Sequence, residues 1–157
     1  MRKRIVLISM AALVMAAVAA CSGSPDPVAV DLKQYAETMV PLLETETAAW
    51  DAYNNVTGKN YKNDPMLKHA LQKDVIPKTK QFLDTLEMIR PRTNAVSGLN
   101  QLYIMRATSS LEGFELLLTA LNRRDVSLVD EANNKTQQSG LYYLKWEKKL
   151  KELKGEE

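Results

Sequence analysis

From Pro27 to the C-terminus, apolar residues recur every three or four positions in four long stretches, and nowhere do they alternate as a half-buried strand requires. That periodicity restricts the chain to helices. The first stretch, from about Pro27 to Thr57, lines up Leu32, Tyr35, Met39, Leu42, Leu43, Trp50 and Tyr53 and stops at Gly58. Asp26 precedes it as an N-cap, with Pro27 in the first turn, where a missing N–H is harmless. The same dipeptide, Asp64-Pro65, opens a second helix with Leu67, Leu71, Val75, Phe82, Leu86 and Ile89 inward until Arg90-Pro91 interrupts it. A third follows almost at once and groups Val96, Leu99, Tyr103, Ala107, Ser110, Leu111 and Phe114, ending near Asn122-Arg123-Arg124. Asp125 caps a fourth, whose stripe is Ala132, Ser139, Tyr142, Tyr143, Trp146, Leu150 and Leu153.

Four amphipathic helices of similar length, each about 40 Å at 1.5 Å per residue, joined by short links, predict an all-α, antiparallel up-down-up-down four-helix bundle over residues 27–157. One domain of this size buries a core without staples. Pro41 and Pro77 fall inside helices, so a bend is expected near the middle of the first two.

Ahead of the helices, Met1-Arg2-Lys3-Arg4 is followed by an apolar run from Ile5 to Val18 and then Ala19-Ala20-Cys21, the chain's one cysteine. A charged start, an apolar centre and small residues before a cleavage point are the marks of a signal peptide. The run is shorter than the ~20 residues a spanning helix needs. The string Val18-Ala19-Ala20-Cys21 resembles the lipobox of bacterial lipoproteins, with Val where Leu is usual. That resemblance implies a signal peptide over residues 1–20, a lipid on the Cys21 sulfur, and a tether over residues 21–26. The implied site is the extracytoplasmic side: the outer face of a plasma membrane, or an outer membrane in a Gram-negative envelope. With five residues between Cys21 and Pro27, the domain would stand within about 20 Å of that surface.

Several other strings, among them Trp50-Asp51-Ala52-Tyr53, Ile76-Pro77 and Leu111-Glu112-Gly113-Phe114, resemble small uncharacterised bacterial lipoproteins and secreted helical-bundle proteins. The resemblance implies an envelope location and a bundle, and it brings no catalytic residue.

One polar constellation stands out. Stepping 100° per residue places Glu46 in the middle of the first apolar stripe. Lys78 lies on the second helix, Arg106 and Ser110 on the third, and Lys135 and Ser139 on the fourth, each near its helix midpoint. Antiparallel packing would gather them into one layer. Two roles are open to it: a charge pairing that fixes helix register, or a small polar pocket with Trp50 and Tyr53 as walls.

Charge argues against nucleic acid as a partner. The formal net charge is +2, and Arg2, Lys3 and Arg4 account for three of the 21 basic side chains; without them 18 face 19 acidic ones. No cofactor or metal is expected. His69 is the one histidine and has no Glu-x-x-His or His-x-x-x-His neighbour, and three of the seven methionines belong to the leader. No Gly-x-Ser-x-Gly elbow or phosphate-cradling glycine loop is present. The expected role is therefore non-enzymatic: a lipid-anchored bundle that binds another envelope component, or else a small-ligand or sensory bundle using the layer around Glu46. Lys145, Lys148, Lys149, Lys151 and Lys154 suit a helix C-terminus, where cations complement the dipole; contact with an anionic lipid or polymer, helped by Trp146, is the functional alternative.

Overall fold

The computed structural model describes residues 24–156, and among them the chain is helical with no strand. The leader, Cys21 and the first part of the tether lie outside the described residues. Helix α1 spans Pro27–Asn54, α2 Asp64–Ala70, α3 Ile76–Met88, α4 Asn94–Arg123 and α5 Val126–Lys154. A π-helical segment, Leu71–Val75, joins α2 to α3 without a break, so these three pieces form one rod and the fold has four.

Local chemistry sets the ends. Asp26 Oδ1 accepts from the Val28 N–H, and Asp125 Oδ1 accepts from the Ser127 N–H, as their positions predict. At the second helix the cap is Asn63 instead of Asp64. The Asn63 side chain accepts from the Met66 N–H, while Asp64 sits inside the first turn, where its charge favours the helix dipole and its carboxylate accepts from the Tyr61 hydroxyl. Thr93 caps α4. Helix α1 ends at Asn54, short of Thr57, and a 3₁₀ turn over Gly58–Asn60 carries the chain round.

The two internal prolines are accommodated differently. Pro41 lies within the helical run of α1. Pro77 follows the π segment, in which the Ile76 N–H bonds to the Leu71 carbonyl five residues back. The widened turn is where the helix meets a residue with no N–H and a ring that crowds the preceding turn. It also corrects a drift: Leu67, Leu71, Val75 and Thr79 are spaced by four, which advances about 40° per step on an α-helix, and one extra residue in a turn returns them to a common face.

The core has two centres. One gathers Leu32, Tyr35 and Met39 of α1, Phe82, Leu83 and Leu86 of α3, Val96, Leu99, Tyr103 and Ala107 of α4, and Trp146 of α5. The other gathers Leu67, Leu71, Val75, Ile76 and Phe114, with Trp50, Tyr53 and Val56 packed against them. Burying a side chain such as Phe82 or Leu86 stabilises the fold by roughly 1.5–3 kcal/mol.

A polar clasp closes the first end. Asp31 is 4% exposed, and its carboxylate accepts from the N–H groups of Arg92 and Thr93 and from the Thr93 hydroxyl. Burial alone would push its carboxyl up; the hydrogen bonds from Arg92 and Thr93 and the charge of Arg92 outweigh it and hold the group below its usual value. The link between α3 and α4 is thereby fastened to the first turns of α1.

Candidate functional site

The expected polar layer forms in part. On α1, Glu46 points inward between the two core centres, and on α4 Tyr103 and Arg106 stand one turn apart facing it. The Arg106 guanidinium donates to Glu46 Oε1, and the Tyr103 hydroxyl donates to Oε2 at 2.7 Å. Both carboxylate oxygens are engaged. The guanidinium carbon also lies 4.9 Å from the ring centroids of Tyr103 and of Tyr143 on α5, so the cation is held between two aromatic faces. Trp146 completes the wall, 5.0 Å edge-on from Tyr103 and stacked at 6.0 Å on Tyr143.

Little of this reaches water: the Arg106 and Glu46 side chains are 15% and 12% exposed. Desolvation would lower the Arg106 pKa, but Tyr103, Glu46 and Tyr143 prevail and the guanidinium is held above its ordinary value. Burial, reinforced by the Glu46 charge, raises the Tyr103 hydroxyl well above its ordinary value. Tyr143 is pushed up to about 12, by burial first and then by a hydrogen bond to Glu147. The cluster thus holds a carboxylate, a permanent cation and two phenols that keep their protons near neutral pH.

Ser110 and Ser139 meet one turn further along at 2.7 Å, both buried. Because Ser110 Oγ donates to the Arg106 carbonyl, the proton between the two hydroxyls comes from Ser139. Just beyond, Gly113 lets α4 and α5 close together; a Cβ there would stand 3.1 Å from both the Ala132 carbonyl oxygen and Thr136 Oγ1.

Lys78 and Lys135 do not join the layer. Lys78 pairs with Asp74 one turn back on its own rod at 2.5 Å, and Lys135 pairs with Glu112 at 2.6 Å on the half-exposed side of the α4–α5 contact. A long cation beside an opposite charge near water avoids the desolvation that a buried position would impose. Trp50 and Tyr53 are not walls of this cluster either; they pack edge-on and tilted against Phe114, at 5.2 and 5.0 Å, in the second core centre. Trp146 is 5% exposed and faces the core.

Among the described residues, grooves lie away from Glu46. One of ≈ 510 Å³ runs beside Asp31, Gln34, Thr38, Arg90 and Arg92; one of ≈ 370 Å³ lies across the Arg90-Pro91 link against Asn100 and Ile104; one of ≈ 440 Å³ is lined by Ala52, Val56, Pro65, Met66 and His69. His69 is exposed, as expected of a surface helix residue. Among the described residues no group of three His, Cys, Asp or Glu side chains is placed to hold a metal ion, and no helix is long and apolar enough to cross a membrane.

The residues missed from sequence are Asp31, Tyr103 and Tyr143. Asp31 carried a usable signal: it sits four positions before Tyr35 and eight before Met39, on the same side of the helix as Glu46. The two tyrosines were expected as core, and their hydroxyl and ring faces turn out to hold the charge pair.

No known family, curated protein or solved structure matches the chain.

Proposed function

We propose that this chain is a lipid-anchored protein of the cell envelope, held through Cys21 on the extracytoplasmic side of a membrane, with a non-enzymatic binding or accessory role toward another envelope component. The observation that carries this reading is Val18-Ala19-Ala20-Cys21 at the end of an apolar run, a few residues ahead of a capped helix. The interior supports it as well. Glu46 meets Arg106 and Tyr103, and Arg106 is sandwiched by aromatic rings, so neither charge waits for a ligand and the outer helix faces are left for recognition.

The domain is read as an up-down-up-down bundle. Contacts that pair Tyr103 with Trp146 and Ser110 with Ser139 descend along α5 as they ascend α4, as in an antiparallel pair. Those of Asp31 with Thr93 and Glu46 with Arg106 ascend together, as for the first and third members of such a bundle.

The test is fatty-acid labelling and fractionation of the wild type and of Cys21→Ser in cells, followed by crosslinking and recovery of bound proteins. Labelled, membrane-bound wild type with a partner lost in Cys21→Ser is the expected result. Unchanged labelling and membrane association in the variant would defeat the anchor.

A further inference from the structure

We propose that the outward face of the C-terminal half of α5 docks on an anionic lipid bilayer, an inference that rests on the lipid-anchored reading above and names the surface the domain would lie against. At 100° per residue, Leu141, Leu144, Lys145, Lys148 and Lys151 fall within a sector of about 120°, opposite the inward-facing Trp146. Leu141 and Leu144 are each 60% exposed, and the Lys148 side chain is 81% exposed. In this half of the helix Glu152 is the one acidic residue in that sector, 4.0 Å from Lys148. Two leucines one turn apart flanked by lysines form a small amphipathic face: apolar tips to enter the interfacial region and cations to meet lipid phosphates.

The same sector changes character toward the start of α5. There it holds Val126, Ser127, Asp130, Asn133, Asn134 and Gln137, with no lysine or arginine. Within this sector basic charge is therefore confined to the C-terminal half, and that half lies where the tether begins. Trp146 shares a core centre with Leu32, Tyr35 and Met39, and Val28, Leu150 and Leu153 pack against that centre, so the start of α1 and the end of α5 are at one end of the fold. Lipid on Cys21 would hold this end within about 20 Å of the bilayer. From Leu141 to Lys151 the face extends about 15 Å along the helix, a length the tether can bring flat against the surface. Charge complementarity and the point where the described chain begins thus select the same occupant.

Each lysine held near an anionic surface strengthens association by about five-fold. The experiment is amine-reactive footprinting of the protein as purified from membranes and mixed into vesicles of phosphatidylglycerol or of phosphatidylcholine, read by mass spectrometry. Lys145, Lys148 and Lys151 are expected to lose at least about five-fold reactivity in phosphatidylglycerol alone, while Lys59 and Lys62, in the turn at the other end, stay unchanged. The double variant Leu141→Ser, Leu144→Ser, its helix content checked by circular dichroism, should lose most of that protection. Equal reactivity in the two lipids would overturn the proposal, as would protection that appears without vesicles and grows with protein concentration, the mark of a second copy on this face. The mass of the Cys21 peptide in the same samples reports the anchor separately: an unmodified Cys21 with lipid-dependent protection would sink the anchor and leave the docking face standing.

Discussion

The Thr93 hydroxyl and the Thr93 N–H both donate to the same oxygen of Asp31, each at 2.7 Å, across a sequence separation of 62 residues. One carboxylate thereby ties the beginning of α1 to the cap of α4, and because the acceptor is buried, its removal strands donors that water cannot reach.

Replacing Asp31 by Ala should therefore destabilise the fold by about 2–3 kcal/mol, measured by urea unfolding at neutral pH. The pH dependence has a definite sign. The folded carboxyl is held below the ordinary value, so its contribution is complete above about pH 3.9, where the unfolded group ionises, and disappears as pH falls through the folded pKa. The stability gap between wild type and Asp31→Asn should narrow as pH is lowered through that window; a gap independent of pH would contradict the charge assignment.

For Glu46 and Arg106 the single and double changes should diverge. Glu46→Leu leaves a largely buried guanidinium without its partner and should cost about 3–5 kcal/mol, whereas Glu46→Leu combined with Arg106→Met should return close to wild-type stability. Chemical denaturation of the four proteins as a double-mutant cycle measures it. A single variant as stable as the double would show that the pair contributes nothing.

Glycine substitutions offer a test of helix approach. Gly113→Ala should destabilise, because its Cβ would press on Ala132 backbone and Thr136; Gly98→Ala and Gly140→Ala, with nothing within 4 Å, should stabilise by about 0.5–1 kcal/mol. Thermal melts of the three variants suffice.

Phe114 supports the second core centre, and truncation to Ala should cost about 3–5 kcal/mol. Since Trp50 and Trp146 are the two tryptophans and only Trp50 touches Phe114, the emission of a Trp146→Phe background should shift to the red on that truncation, and that of a Trp50→Phe background should not.

Much of the helical layout was legible because it is local. Asp26 and Asp125 cap the helices they precede, and α3 ends at Met88, with Ile89 extended, just ahead of the Arg90-Pro91 link. Glu46 and Arg106 were also legible, since a carboxylate on an apolar stripe needs a partner and few cations stood at its height. Asp31 shared that side of α1 with Glu46, so its inward position was legible, but its partners are mainly backbone N–H groups in a distant link and no side-chain pattern announces them. Lys78 and Lys135 went elsewhere for an equally local reason: Asp74 lies four residues from Lys78, and Glu112 flanks the seam beside Lys135, both closer to water than the interior. Asn63 displaced Asp64 as cap because the helix begins one residue earlier than the Asp-Pro dipeptide suggests.

The widened turn at Leu71–Val75 gives the rod a spare residue. Along α4 or α5, losing one residue would swivel everything downstream by about 100° and turn core side chains toward water. Within Leu71–Val75 the same loss would let the turn tighten to ordinary α-helix, with Phe82, Leu83 and Leu86 still aimed at their present neighbours. What remains is the crowding at Pro77, so this stretch is where the rod best tolerates a change in length.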